Sequence, residues 1–164
     1  MAESWESTST TTWLRIGNDA LDERDALAFC RRHHVGGIVV FAGTVRDHNE
    51  DLTGVVALHY EVALDLAAAR LGNIAAEAFD ALPELAALVV HHRVGRVALG
   101  ETAVVVAAAA PHRDTAFQAA RYAIDAVKVA VPLIKQELTP SSSRWAPSST
   151  PLDDIPRVKD HPQP

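Results

Sequence analysis

Short runs of β-branched residues alternate along this chain with longer alanine-rich segments, and this alternation constrains the fold more than any other feature. Val, Ile and Thr suit a pleated, half-buried surface, so five runs predict strands: 13–16, 38–45, 55–61, 88–94 and 102–109. Apolar residues at helical spacing predict three helices: 18–33, 64–79 and 114–131. The order β-α-β-β-α-β-β-α therefore predicts an α+β fold in which helices pack on a mainly antiparallel sheet.

Turn-forming and capping residues predict how these elements are joined. The polar segment 47–54 separates two strands and predicts a hairpin with a long loop. The strands predicted at 88–94 and 102–109 form a second pair, joined by the segment 95–101. We expect Asn18 or Asp19 to cap the first helix and Asp114 to cap the third, with Phe117 on the buried face of the third helix.

The length and the composition of the two ends predict the domain organisation. A chain of 164 residues suits one domain, because domains of ~100–200 residues are the common case. Residues 1–12 are rich in Ser and Thr, and residues 147–164 are rich in Pro and Ser, which favours flexible ends. We therefore expect a folded domain at 13–146 between two flexible tails.

Charge and cysteine content limit the classes of partner and compartment. Proteins that bind nucleic acids or membrane surfaces usually present a basic face, so a net charge of −6 predicts neither partner. No apolar stretch approaches the ~18–20 residues of a membrane span. Cys30 is the single cysteine, which excludes an internal disulfide and fits a cytoplasmic location. His91 and His92 point to opposite faces of a predicted strand, so we expect no metal site there.

One segment of this acidic chain is locally basic. Residues 113–144 contain five basic and three acidic side chains, and two of the three lysines, Lys128 and Lys135, flank an apolar stretch. This pattern is consistent with a cationic pocket that holds lysines suited to proton transfer. Surface ion pairs are the alternative and explain the whole pattern, because Asp125 follows Arg121 by four residues and precedes Lys128 by three.

Two further segments are candidate ligand sites. His112 and Arg113 fall where a strand ends and a helix begins, and the free backbone N–H groups of a helix start favour an anion. Phe41 to Arg46 closes the second strand with small residues and then an arginine, which can present Arg46 to a ligand. In both places the alternative is an arginine that only solvates a turn or a strand end.

Taken together, the motifs resemble the MoaE family, the catalytic (large) subunit of molybdopterin synthase. The resemblance extends over residues 13–146 and rests on seven segments in order: GGIVVFAGTVRDHN (36–49), YE (60–61), HRVG with GE (92–95 and 100–101), PHR (111–113), DAVK (125–128), PLIKQE (132–137) and RW (144–145). It implies the family's α/β hammerhead fold. It also implies a sulfur transferase whose substrate, cyclic pyranopterin monophosphate, is converted to molybdopterin.

The resemblance also implies partners and site residues. Sulfur is expected to arrive as a thiocarboxylate on the C-terminus of a small ubiquitin-like subunit of the MoaD type, in a heterotetramer built on a homodimer of this chain. No metal and no resident cofactor are implied. The expected catalytic residues are Lys128 and Lys135. The expected substrate-binding residues, which include both lysines, are Phe41, Thr44, Val45, Arg46, His112, Arg113, Lys128, Lys135, Gln136 and Glu137.

Two positions depart from the family pattern and leave a second hypothesis open. The family commonly has a Trp before the second lysine and a basic residue after it, where this chain has Ile134 and Gln136. A binding module that docks the small subunit without turnover is the alternative to an enzyme.

Overall fold

The computed structural model describes residues 4–146 and 154–160. The helices are α1 (Glu23–Cys30), α2 (Leu64–Ala81) and α3 (Arg113–Ala130). The strands are β1 (Trp5–Thr8), β2 (Thr12–Gly17), β3 (Gly37–Thr44), β4 (His48–Asn49), β5 (Leu52–Thr53), β6 (Ala57–Val62), β7 (Ala87–Arg93), β8 (Gly95–Ala98), β9 (Thr102–Ala110), β10 (Leu133–Leu138) and β11 (Ser143–Trp145). A single 3-10 turn follows at Val158–Asp160. No helix in the described ranges is long and apolar enough to cross a membrane.

The strands form two main sheets and one small hairpin. The larger sheet has the order β1-β2-β7-β9-β3, and the second sheet has the order β11-β10-β6-β8. Neighbouring strands run antiparallel except for the parallel pair β2 and β7. The predicted α+β class with mainly antiparallel strands is therefore confirmed.

The core lies on both faces of the larger sheet. Every residue of β7 is buried, and so is every residue of β9 after Thr102. Alternate residues of these strands pack on α2 and α3 on one face, and on α1 on the other. The alanines at 107–110 have no bulk beyond Cβ, so helices approach this sheet closely. The last of these alanines leads through Pro111 and His112 into α3, which begins at Arg113.

The hairpin predicted between the strands around 38–45 and 55–61 is wrong. Strand β3 pairs with β9 in the larger sheet, whereas β6 pairs with β10 and β8 in the second sheet. The segment between them turns back on itself as the small β4–β5 hairpin. Local polarity marks a turn but does not select a strand's partner, because alternating residues fit either sheet. The predicted pairing of the two later strands, β7 and β9, is confirmed.

Parts of both predicted tails are ordered, so the expectation of flexibility is wrong for residues 5–8 and 154–160. Strand β1 pairs with β2, and the Trp13 indole N–H donates to the Glu6 carboxylate at 2.6 Å. Near the other end, Val158 is 2% exposed and packs into the core beside α2 and α3. A short segment can be held by one buried side chain whatever its composition. Residues 1–3, 147–153 and 161–164 lie outside the described residues, and the domain limits 13–146 stay a prediction.

Helix ends and the strands after α3 also differ from expectation. Helix α1 begins at Glu23, where the Asp22 side chain caps it, and ends at Cys30. Helix α3 begins at Arg113, and Asp114 lies in its first turn rather than at its cap. Strands β8, β10 and β11 were not predicted. They are short, half-exposed strands whose mixed composition carries a weak periodic signal.

The start of β3 leaves no room for a side chain at Gly36, which gives a stability prediction. A Cβ there would overlap the Pro111 carbonyl oxygen, a backbone atom that cannot rotate away. We expect Gly36→Ala to lower the free energy of unfolding by about 1–3 kcal/mol in urea titrations. Gly72→Ala is the matched control, because Gly72 lies within α2 with open space around it. Its replacement is expected to raise stability by about 0.5–1 kcal/mol. Equal effects of the two substitutions would contradict the steric explanation.

Candidate active site

A cavity of about 440 Å³ opens where β3, the β4–β5 hairpin, the second sheet and the end of α3 meet. Its walls combine apolar strand residues with polar side chains from the hairpin and β10. The lining residues are Phe41, Ala42, Gly43, Thr44, Arg46, His48, Asn49, Val55, Leu58, Tyr60, Ala103, Val104, Lys128, Lys135 and Glu137. Residues from distant parts of the sequence therefore share one solvent-accessible space.

Three cationic side chains reach this cavity from three different elements. Arg46 follows the end of β3, Lys128 lies in the last turn of α3, and Lys135 lies on β10, where it is paired with Tyr60 of β6. Pro132 ends the helix, and the chain then enters β10, so the two lysines are carried to the same cavity by different elements. The structure thus brings Arg46, Lys128 and Lys135 together in one cavity, and the use of this cavity as a ligand pocket stays a prediction.

The alternative based on surface ion pairs accounts for three of the five basic residues of segment 113–144, since Arg113, Arg121 and Arg144 are each paired with a carboxylate. Arg121 and Asp125 form a pair at 3.6 Å on the exposed side of α3. No ion pair joins Lys128 or Lys135 to a carboxylate among residues 4–146 and 154–160. The two lysines are therefore available to an anionic ligand.

Glu137 lines the cavity but is occupied by protein contacts. Its side chain is fully buried, and it accepts hydrogen bonds from Asn49 Nδ2 at 2.5 Å and from Arg144 Nε at 2.9 Å. A carboxylate held in this way orients its neighbours rather than binding an anion. Gln136, the next residue on the strand, points to the opposite face and donates to Ser143 Oγ at 3.1 Å. Neither residue fits the substrate contact expected from the resemblance.

The remaining expected site residues divide between the cavity and other places. Phe41 and Thr44 line the cavity, whereas Val45 is buried in a separate small cluster under the second sheet. Arg113 begins α3 and Lys128 lies in its last turn, so the rise of a helix separates them by roughly 22 Å. His112 and Arg113 are exposed and do not line the cavity that contains the lysines of the same chain.

A second, more apolar space runs between β3 and the outer side of α3. This groove measures about 620 Å³ and extends from Arg113 to Lys128, where it meets the cavity at Phe41 and Lys128. Phe117 lines it and is 55% exposed, so its predicted burial is wrong. Helical periodicity predicted Phe117 on the same buried face of α3 as Ile124. The Phe117 side chain instead faces the groove between β3 and α3, where it stays exposed.

The two histidines of β7 are buried, and one of them, His92, lies behind the cavity. The His92 ring packs edge-to-face on Tyr60, with the ring centroids 5.0 Å apart, and its Nδ1 lies 2.7 Å from the Arg93 carbonyl oxygen. Burial lowers the pKa of His92 to about 4, and the pKa of His91 to about 4 as well. Burial also raises the pKa of Tyr60 to about 12. Within the described ranges, no cluster of three His, Cys, Asp or Glu residues could hold a metal ion.

The two buried histidines predict a loss of stability in mild acid. An unfolded histidine binds a proton below about pH 6.5, whereas His91 and His92 stay neutral in the folded protein down to about pH 4. The unfolded state therefore binds more protons in that window, and stability falls as the pH falls through it. We expect each histidine to remove about 2 kcal/mol of the free energy of unfolding between pH 7 and pH 5.

Denaturant titrations at the two pH values measure this loss. His91→Phe is expected to reduce it, because the His91 ring contacts Trp13 and its Nε2 has no hydrogen-bond partner in the described part of the chain. His34→Gln, at an exposed position, is the control and should leave the pH dependence unchanged. An unaltered loss in His91→Phe would contradict the assignment.

The fold and this cavity define a class: α+β proteins with a cation-lined cavity where a helix end meets a second sheet. A family model described as "MoaE protein" matches residues 16–130. The chain is 36% identical over 133 residues to molybdopterin synthase catalytic subunit 1 of Mycobacterium tuberculosis, which covers 81% of this chain and 89% of that protein. The chain belongs to the MoaE family.

Solved structures share the fold. Molybdopterin synthase from Staphylococcus aureus superposes with a TM-score of 0.75 at 27% identity, covering 85% of this chain and 98% of that one. A MoaE protein from Burkholderia ambifaria superposes with a TM-score of 0.70 at 32% identity, covering 88% of this chain and 92% of that one. The family and fold expected from the sequence motifs are thus confirmed.

Sequence reasoning missed several residues of the site. His48, Asn49 and Tyr60 line the cavity, and Asp51 and Arg144 lie beside it. His48 and Asn49 lie two and three residues after Arg46 in a polar segment, and this proximity was the available signal. The pairing of Asp51 with Arg144 spans 93 residues of sequence and had no local signal.

Proposed function

We propose that this chain is the catalytic subunit of molybdopterin synthase. It would transfer sulfur from the thiocarboxylated C-terminus of a small MoaD-type subunit to cyclic pyranopterin monophosphate, giving molybdopterin. The observation that carries the proposal is the convergence of Arg46, Lys128 and Lys135 on one cavity. Membership of the MoaE family and relatives that are named molybdopterin synthase catalytic subunits support it.

The positive charge of the cavity is complementary to the negative charge of both proposed reactants. A cyclic phosphate is anionic, and so is a peptide tail that ends in a thiocarboxylate. Because Glu137 is already paired with Arg144, its charge does not cancel the cations that face the cavity. Arg46 is suited to the phosphate through paired N–H groups, while the lysines supply compact positive charges for the tail. Phe41 and Thr44 would line the wall next to the pterin.

Proton transfer is the second task of the lysines. Adding sulfur to the pterin and opening the cyclic phosphate both require protons to be moved at the reacting atoms. Lys128 is the first candidate for the general acid and base, and Lys135 is the second, because both face the cavity. The transfer from a thiocarboxylate needs no electron carrier, so we propose no resident cofactor and no metal.

Sulfur is proposed to come directly from the partner. Cys30 is buried on the far side of the larger sheet, and burial raises the pKa of its thiol to about 11. A thiol of this kind is poorly nucleophilic at neutral pH and cannot reach the cavity. Thiol products also need a reducing compartment, which supports a cytoplasmic location.

The proposed assembly is a homodimer with one small subunit bound at each end. A dimer offers one way to bring a second anion site to the lysines, since within one chain Arg113 lies roughly 22 Å from Lys128 along α3. In a dimer, His112 and Arg113 of one copy can supply the second anion site for the lysine cavity of the other. The exposed Phe117 and Phe41 give the groove between them an apolar surface suited to such a contact.

Reconstitution tests the proposal. The purified chain is mixed with thiocarboxylated small subunit and cyclic pyranopterin monophosphate, and dithiolene formation is measured. The expected result is product that depends on all three components. Complex formation without product would instead support the binding module that Ile134 and Gln136 left open. The absence of both binding and product would contradict the family function for this chain.

A further inference from the structure

A chain of side-chain contacts joins the β4–β5 hairpin to the second sheet beside the cavity. Arg144 on β11 donates from Nε to Glu137 at 2.9 Å, and from Nη2 to Asp51 Oδ1 at 3.0 Å. Glu137 in turn accepts from Asn49 Nδ2, and Asn49 Oδ1 accepts from Arg46 Nη2 at 3.3 Å. The contacts thus run from Asp51, in the turn of the hairpin, to Arg46 at the cavity.

Arg144 is the centre of this arrangement because it uses two sides of its guanidinium at once. Its Nε side faces a carboxylate that is fully buried, which fixes the plane of the group. Its two terminal nitrogens then face both carboxylate oxygens of Asp51. These contacts hold the pKa of the Asp51 carboxyl below its usual range. The hairpin turn is therefore attached to a guanidinium that cannot easily rotate away.

We propose that Asp51 and Arg144 are positioning residues that hold the β4–β5 hairpin so that Asn49 keeps Arg46 directed at the cavity. The inference rests on the proposed function, in which Arg46 binds the phosphate of the substrate. Arg46 is exposed and would otherwise sample many rotamers, and ordering it on binding would cost affinity. The Asp51–Arg144 contact reduces that cost before the substrate arrives.

The competing explanation is a surface ion pair without functional effect, as many exposed pairs are. Three features oppose it. Arg144 is fixed by the buried carboxylate of Glu137. Two guanidinium nitrogens of Arg144 contact both carboxylate oxygens of Asp51. This contact also closes a hairpin that has its own backbone pairing only at His48 with Thr53 and at Asn49 with Leu52. So short a hairpin needs an external contact to keep its place.

The test uses substitutions at Asp51, which is exposed and can be changed without disturbing Glu137. Asp51→Asn removes the charge, Asp51→Glu keeps it, and Asp47→Asn removes an exposed charge just before the same hairpin. The hydrogen-exchange rates of the amides at 48–53 report how stably the hairpin is held. The kinetics of sulfur transfer report whether Arg46 is correctly placed for substrate binding. In Asp51→Asn we expect exchange and the KM for the pterin to rise about two- to fivefold, with kcat unchanged.

Asp51→Glu and Asp47→Asn are expected to stay close to the wild type in both measurements. Unchanged exchange and KM in Asp51→Asn would overturn the inference, as would an equal effect of Asp47→Asn. A fall in kcat without a change in KM would also overturn it, because it would place the effect in the chemical step. A wild-type chain without sulfur transfer would overturn the proposed function and the substrate part of this inference. The exchange data would still support or contradict the hairpin contact itself.

Discussion

Lys128→Ala is expected to lower the rate of sulfur transfer by about a hundredfold or more, while the protein stays folded. Loss of a positioned general acid or base typically costs 10²–10⁴-fold. Lys128 is exposed at the end of α3, so removing its side chain leaves the core intact. Reconstituted product formation gives the rate, and urea titration checks that the stability is unchanged.

Lys159→Ala is the matched control, because it removes the same charge from the 3-10 turn, whose residues do not line the cavity. It should leave the rate at the wild-type level. Lys135→Ala should also reduce turnover, since Lys135 lines the same cavity. Full activity of Lys128→Ala, or an equal loss in Lys159→Ala, would remove Lys128 from the proposed chemistry.

Mixing two inactive chains is expected to restore activity if the site is shared across the proposed dimer. Lys128→Ala and Arg113→Ala should each be strongly impaired alone. In a mixed dimer, one cavity then has intact lysines from one copy and an intact Arg113 from the other. Random pairing makes half of the dimers mixed, each with one intact site of two, so about a quarter of the wild-type activity should return.

A second mixture controls for other effects of mixing. Lys128 and Lys135 line the cavity of the same chain, so Lys128→Ala mixed with Lys135→Ala leaves no intact site in any dimer. This mixture should remain inactive. If the first mixture also stays inactive after subunit exchange, the anion site at His112 and Arg113 does not act with the lysines of a partner copy.

Local periodicity predicted most of the helices and core strands, because these elements bury one or both faces. Strand β9 and helix α2 are examples in which apolar residues dominate. The pairing of β3 with β9 could not be read from the sequence, since any strand with a similar pattern is an acceptable partner. Strand β1 and the segment around Val158 were missed for another reason. Each is ordered by contacts with residues far away in the sequence.

The candidate site was predicted in part. The two lysines stand out because lysine is rare in this chain and the segment around them is locally basic. Their approach to Arg46 depends on β10, a strand that begins immediately after Pro132 and that was not predicted. Glu137 was expected to bind substrate, but its burial and its bond to Arg144 give it a structural role. Sequence alone does not distinguish a carboxylate that faces a ligand from one that faces an arginine.

The buried Val158 has a consequence for the order in which the protein forms. Its side chain completes the apolar layer between α2 and α3, where Tyr122 also donates to the Pro156 carbonyl oxygen at 2.8 Å. Synthesis proceeds from the N-terminus, so this layer stays open to water until residue 158 has left the ribosome. Helix α3, which carries Lys128 to the cavity, therefore reaches its final packing late. A nascent chain that stalls before this point would expose an apolar surface to chaperones and proteases.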